Sequence, residues 1–114
     1  MKDFLKVMKA LADPNRVRIV KMLQHETMCV CEMQAALQIA QPSVSKHLRI
    51  LEEADLVTHR KDGMWVNYRL SDGSGSPYVA SLLGNLRHWL EDDPDIHEMV
   101  EKLPRIRRED ICSK

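Results

Sequence analysis

Asp62-Gly63 stands between two stretches in which apolar and polar residues alternate, Leu56 to Arg60 and Met64 to Leu70. A period of two is the repeat of a half-buried strand, and an Asp-Gly pair suits the tight turn between antiparallel neighbours. A hairpin here constrains the chain strongly, because everything upstream has helical spacing. Phe4, Leu5, Met8 and Leu11 form one stripe of a first helix over residues 2–11. Asp13-Pro14 supplies an N-cap followed by proline at the first helical position. The second helix is expected over about 14–24, with Val17, Val20, Met22 and Leu23 apolar. A short third helix over 31–38 carries Met33, Ala36 and Leu37. Gln41-Pro42 opens a fourth, with Val44, Leu48 and Leu51 inward. After the hairpin, Asp72 to Ser76 is a Gly/Ser break. Pro77 then starts a long helix whose apolar face holds Val79, Leu82, Leu83, Leu86 and Leu90.

The expected fold is mainly α with a β-hairpin wing, in the order α-α-α-α-β-β-α. Two helices joined by a tight turn and followed by a hairpin make a winged helix-turn-helix. Residues 1–91 are read as one DNA-binding and dimerisation domain, and 92–114 as a charged, partly ordered C-terminal tail interrupted by Pro94 and Pro104. A chain of 114 residues buries a modest share of its surface, so dimerisation is a natural route to stability. Its apolar runs are too short for a membrane span. The stretch MKDFLKVMKALADP lacks the apolar core of a signal peptide, so the protein is read as cytoplasmic. In a reducing cytosol its three cysteines are not expected to form a disulfide framework.

Seventeen basic and 17 acidic residues cancel, which alone argues mildly against nucleic-acid binding. Their distribution is uneven. Residues 1–26 hold six Lys or Arg against Asp3, Asp13 and Glu26, whereas 91–98 are acidic and 102–108 basic again. Such segregation permits a local DNA-binding face. The segment QPSVSKHLRIL, residues 41–51, concentrates the relevant chemistry. Gln41, Ser43 and Ser45 can hydrogen-bond base edges, and Lys46 and Arg49 can reach phosphate. Lys46, His47 and Arg49 precede Glu52, Glu53 and Asp55, so the positive half of the helix is the one that enters a groove. Arg60 and Lys61 near the hairpin tip suit a wing reaching the DNA backbone or minor groove. No nucleophile–base pairing, phosphate loop or HExxH box occurs, so the chain is read as a non-enzyme without an organic cofactor.

The chain resembles the arsenic- and metal-responsive ArsR/SmtB repressors. The resemblance spans residues 3 to about 90 and rests on KALADPNRVRIVKML, MCVCEM, QPSVSKHLRILEEADLV and RKDGMWVNYRL. It implies a homodimer packed through its first and last helices, which holds palindromic double-stranded operator DNA until an inducer arrives. It also implies that Gln41, Ser43, Ser45 and His47 lie on the recognition helix.

Cys29 and Cys31 open the third helix. Cys29 stands three residues before Glu32, a capping-box spacing with Cys in the Ser/Thr place. Amides at a helix start favour the thiolate, which binds soft metals. Within a regular helix, residues i and i+2 point about 200° apart, so joint ligation would need a frayed first turn. The residues alone allow small buried hydrophobes, soft-metal ligands or redox thiols. The resemblance implies a thiolate box sensing arsenite, antimonite, cadmium or lead. One departure is Gln34, where the arsenite-sensing box carries a third Cys. Cys112 is the remaining thiol and is carried as a candidate third ligand, or as a redox partner of Cys29 or Cys31. His88 and His97 do not match the family's carboxylate–histidine zinc site and are read as surface or packing residues, and His25, which could join a metal site near Cys29, is read the same way.

Overall fold

The computed structural model describes residues 1–107. The elements are α1 (Lys2–Ala10), α2 (Pro14–Leu23), β1 (Met28–Cys29), α3 (Val30–Leu37), α4 (Gln41–Glu53), β2 (Val57–Asp62), β3 (Trp65–Leu70), α5 (Pro77–Leu86) and α6 (Pro94–Lys102), followed by a 3-10 turn over Leu103–Arg105. The winged helix-turn-helix is present: α3 and α4 are joined by three residues, and the β2–β3 hairpin follows. A third strand joins the wing. The sheet is antiparallel with order β1-β3-β2, and β1 pairs Met28 with Tyr68 and Cys29 with Asn67.

Local signals set most helix starts. Asp13 sits in extended backbone before α2, and its Oδ2 accepts from Arg16 N at 3.0 Å. Ser76 Oγ accepts from Val79 N at the start of α5, and Asp93 Oδ1 caps α6 through Asp95 N and Ile96 N. Removing the α2 cap has a defined cost. Asp13→Ala is expected to destabilise the domain by about 1 kcal/mol. That corresponds to a melting temperature lower by about 4 °C for a chain of this size, readable by circular dichroism, while Asp13→Ser stays close to the parent.

One core runs through the molecule: Ile19, Val20 and Met22 from α2, Met33 from α3, Val44, Leu48 and Leu51 from α4, Leu56 and Val57 at the wing base, and Val79 from α5. Three expectations change. In α1 the buried residues are Val7 and Ala10, while Phe4, Leu5 and Met8 stay exposed. The apolar stripe of α1 therefore faces away from its own core. The last long helix stops at Leu86, and Leu90 takes a left-handed φ of 65° and is exposed. The charged stretch beyond residue 91, expected to be a partly ordered tail, forms α6 and sends Ile96, Met99 and Leu103 into the core.

Lys21 is fully buried within α2. Its Nζ donates to Leu86 O at 2.7 Å and Trp89 O at 2.9 Å, and lies 3.3 Å from Glu91 Oε1. It satisfies carbonyls at the end of α5, where a helix leaves them unpaired and partially negative.

Candidate functional site

The N-terminus of α4 is bare. Ala40 offers no side-chain cap, and no acid lies in the first turn. Pro42 has no N–H, and Ser43 N already donates to Ala40 O at 3.0 Å, so the chemistry this helix start offers an anion lies mainly in its side chains. Gln41, Ser43, Ser45, Lys46 and Arg49 are exposed, while Val44, Leu48 and Leu51 are buried. The polar face read from 41–51 is one continuous outer face. His47 is the exception. It is half-buried, and its Nδ1 lies 3.2 Å from Arg16 Nη1 and 3.9 Å from Asp13 Oδ2. An Arg donor at Nδ1 sets the neutral imidazole's proton on Nε2. Arg16 also donates to Ala10 O and Lys9 O, at 2.7 Å and 3.2 Å. Arg16 and His47 therefore hold α4 against the α1–α2 corner, a role that no local sequence signal announces.

Arg60 and Lys61 are exposed on β2, opposite Asn67 and Val66. The hairpin turn itself is Gly63-Met64, one residue later than the Asp-Gly pair suggests, because Asp62 pairs with Trp65. Gly63 supplies the left-handed φ of 64°, the first central position of a type II′ turn. At the opposite end of the wing, His59 Nδ1 and Glu52 Oε2 are 2.6 Å apart, tying β2 to the last turn of α4. The His59 and Tyr68 rings are stacked at a tilt, 5.4 Å between centroids. Burial, then the Glu52 carboxylate, pushes the Tyr68 phenol above its ordinary range. Recognition helix and wing are thus one mechanical unit.

A bare-ended helix with a polar outer face, braced to a basic hairpin, is a nucleic-acid-reading arrangement. Residues 13–59 match the model of the bacterial regulatory protein, arsR family. The arsenical resistance operon repressor of Escherichia coli K12 is 44% identical over 104 residues, 89% of this chain and 85% of that protein. The chain belongs to the ArsR family. It is a DNA-binding transcriptional repressor of the ArsR/SmtB type, not an enzyme. The arsenic resistance regulator ArsR1 of Pseudomonas putida KT2440 is 45% identical, covering 76% of this chain and 71% of its own length. Among solved structures, HlyU from Vibrio cholerae superposes with a TM-score of 0.66 at 30% identity, over 81% of this chain and 95% of its own. The homodimeric winged helix-turn-helix domain of a possible ArsR-family regulator from Mycobacterium bovis gives 0.64 at 26% identity, over 75% and 76%. Among the described residues, no helix is long and apolar enough to cross a membrane.

In this ArsR-family protein the MCVCEM segment lies where wing and helix-turn-helix meet. Cys29 is buried, ends β1 and is the N-cap of α3, with extended φ −93° and ψ 171°. The capping box expected from its spacing is present: the Glu32 backbone donates to the Cys29 side chain, and Cys29 N donates to Glu32 Oε1 at 2.8 Å. Cys29 therefore lies outside the helix, and the opposed directions of i and i+2 within a helix do not apply to it. Cys31 is half-buried and borders an open groove with Gln34 and Gln38. Glu26, near the same corner, has its carboxyl raised by burial and by the Glu32 charge, with His25 pulling the other way. Among the described residues no three His, Cys, Asp or Glu side chains are grouped as a metal site. Cys112 lies outside the described residues.

Proposed function

We propose that this repressor holds operator DNA as a homodimer in the cytoplasm and lets it go when Cys29 and Cys31 take a thiophilic metalloid or metal, arsenite foremost and antimonite, cadmium or lead after it. The observation that carries the reading is the position of Cys29. One residue is the N-cap of α3, the end of β1 and a member of the wing sheet. A soft ion drawing on the Cys29 sulfur competes with the cap on α3, and α3 packs on α4. Without that cap, the seat of the recognition helix and the β1–β3 pairing loosen together. Two thiols one residue apart suit a soft ion, and Cys112 or an external thiol completes a three-sulfur set. The relatives named for arsenical resistance support the same inducer class.

The dimer reading is supported by the outward stripe of α1. Phe4 meets Tyr78 of α5 edge-to-face at 5.4 Å, and Phe4, Leu5, Met8 and Tyr78 remain exposed together. A surface of this kind on a small domain marks an interface, and it joins the first helix to α5.

The deciding experiment is anaerobic titration of the protein on a fluorescent operator with arsenite, antimonite, cadmium, lead and zinc, and separately with an oxidant. Release on a thiophilic ion with a thiolate-to-metal absorption band is the expected result. Release on oxidation alone replaces this reading with a redox sensor, and no response to either leaves a repressor without these inducers.

Recognition of DNA carries its own prediction. Ser45→Ala or Gln41→Ala relaxes sequence preference and costs about 1–3 kcal/mol for each base edge no longer held, in each half-site. Arg60→Ala weakens all sequences alike and flattens the dependence of affinity on salt, by a slope of about 1 for each phosphate no longer neutralised. An unchanged slope in Arg60→Ala means that the wing does not touch phosphate.

A further inference from the structure

Between the C-terminal end of α2, the base of the wing and the end of α5 lies an open cavity of about 580 Å³ that none of the sites above uses. Its walls include Gln24, His25, Arg69, Arg87 and Glu91. Arg69 belongs to β3 and pairs with Thr58, at the end of the hairpin away from the Gly63 turn. Arg87 is the C-cap of α5. Arg69 and Arg87 thus bring two guanidiniums to the walls of one cavity from different elements. Among the described residues neither forms an ion pair within 4.0 Å, although the Asp72 carboxyl, held below its ordinary range first by hydrogen bonds from Ser74, also feels the Arg69 charge. The carboxylate in the wall, Glu91, is already held by Lys21 Nζ at 3.3 Å. The same ammonium takes Leu86 O and Trp89 O, so the negative end of α5 is neutralised from behind.

We infer that this cavity binds a phosphate group, free or carried by a small metabolite. Planar guanidinium forks match phosphate oxygens two at a time, and charge-assisted bonds of this kind are strong. Two forks suit a tetrahedral dianion better than a single carboxylate. The volume lies within the range of about 300–1,000 Å³ usual for small-molecule sites. Operator phosphate is disfavoured as the occupant. The recognition helix is braced at the N-terminal end of α2, through Asp13 and Arg16, whereas the cavity lies at the C-terminal end of the same helix. Ten residues of α helix separate those ends by about 15 Å. The site does not depend on the thiol reading, since neither Cys29 nor Cys31 lines it.

The test is isothermal titration of the full-length protein, metal-free, with inorganic phosphate and in parallel with glycerol phosphate, at ionic strength held constant with sodium chloride. Saturable binding near one per chain is expected, with glycerol phosphate the tighter ligand if the source is a metabolite. Arg87→Gln and Arg69→Gln each weaken it about tenfold to a hundredfold, and both arginines are exposed, so the fold is retained. Phosphate heats indistinguishable from chloride, or a double arginine variant that binds like the parent, overturn the site. Weaker operator binding by the arginine variants, without phosphate binding by the parent, also overturns it and places the arginines on DNA instead. The thiol reading is judged separately by arsenite release in the same variants, which is expected to stay at the parent level.

Discussion

Cys29→Ser is expected to bind operator as the parent does and to stay bound when arsenite is added. The geometry makes this substitution unusually clean. Cys29 acts as the N-cap of α3 in extended backbone, and Ser is among the preferred residues for that position. The hydroxyl takes over the bond from the Glu32 backbone, so α3 is kept, with stability equal to the parent or higher by up to about 1 kcal/mol. The soft ligand is gone, because a hydroxyl does not become an anion at neutral pH. Disturbing an outer-shell partner of a metal ligand costs about 10–100-fold in affinity, so removal of a ligand itself is expected to raise the arsenite concentration for half-release by about a hundredfold or more. Cys31→Ser, half-buried and one residue into the helix, behaves alike toward arsenite. Operator release is read by fluorescence anisotropy in thiol-free buffer, with Cys112→Ser run beside them. A Cys112→Ser response equal to the parent assigns the third sulfur elsewhere. Normal release by both Cys29→Ser and Cys31→Ser sinks the thiolate box altogether.

The largest stability effect is expected at Lys21. Truncation to Ala removes a buried stem and leaves the Leu86 and Trp89 carbonyls without their donor. Cavity formation and unsatisfied acceptors together cost about 3–5 kcal/mol. At about 4 °C per kcal/mol this lowers the melting temperature by about 12–20 °C at equal protomer concentration. Lys21→Met separates the two contributions. The stem is kept, so the destabilisation falls to about 1–3 kcal/mol, the cost of the unmet carbonyls. Glu91 adds little to either figure, because its side chain is 54% exposed and regains water. A drop under about 1 kcal/mol in Lys21→Ala, within the range of ordinary surface changes, would show that the carbonyls are met in another way.

Features determined by neighbours in sequence were legible without a structure. Asp13-Pro14 starts α2 because a cap acts on amides two and three residues ahead. The wing is legible because Gly63 supplies its own left-handed turn between alternating residues. The outer face of α4 follows from the positions of Val44, Leu48 and Leu51, and the capping role of Cys29 from its spacing to Glu32. These are local bonds between residues a few places apart, so the order of residues suffices to write them.

The remaining features depend on partners far along the chain. β1 is two residues long and exists because β3 pairs with it. Val7 and Ala10, not the larger Phe4, Leu5 and Met8, turn inward in α1, because the surface α1 meets admits a small face. α5 ends at Leu86 although the apolar spacing runs on to Leu90, and Lys21, 65 residues earlier, takes the freed carbonyl. α6 and the turn after it join the core with three apolar side chains in a charged stretch, too sparse a pattern to read alone. His47 turns from the exposed polar face of α4 to Arg16, which donates to it across 31 residues. Arg69 and Arg87 share a cavity for the same kind of reason. Propensity and capping act over a few residues, whereas burial, a long-range hydrogen bond and the meeting of two charges are set only when distant segments pack.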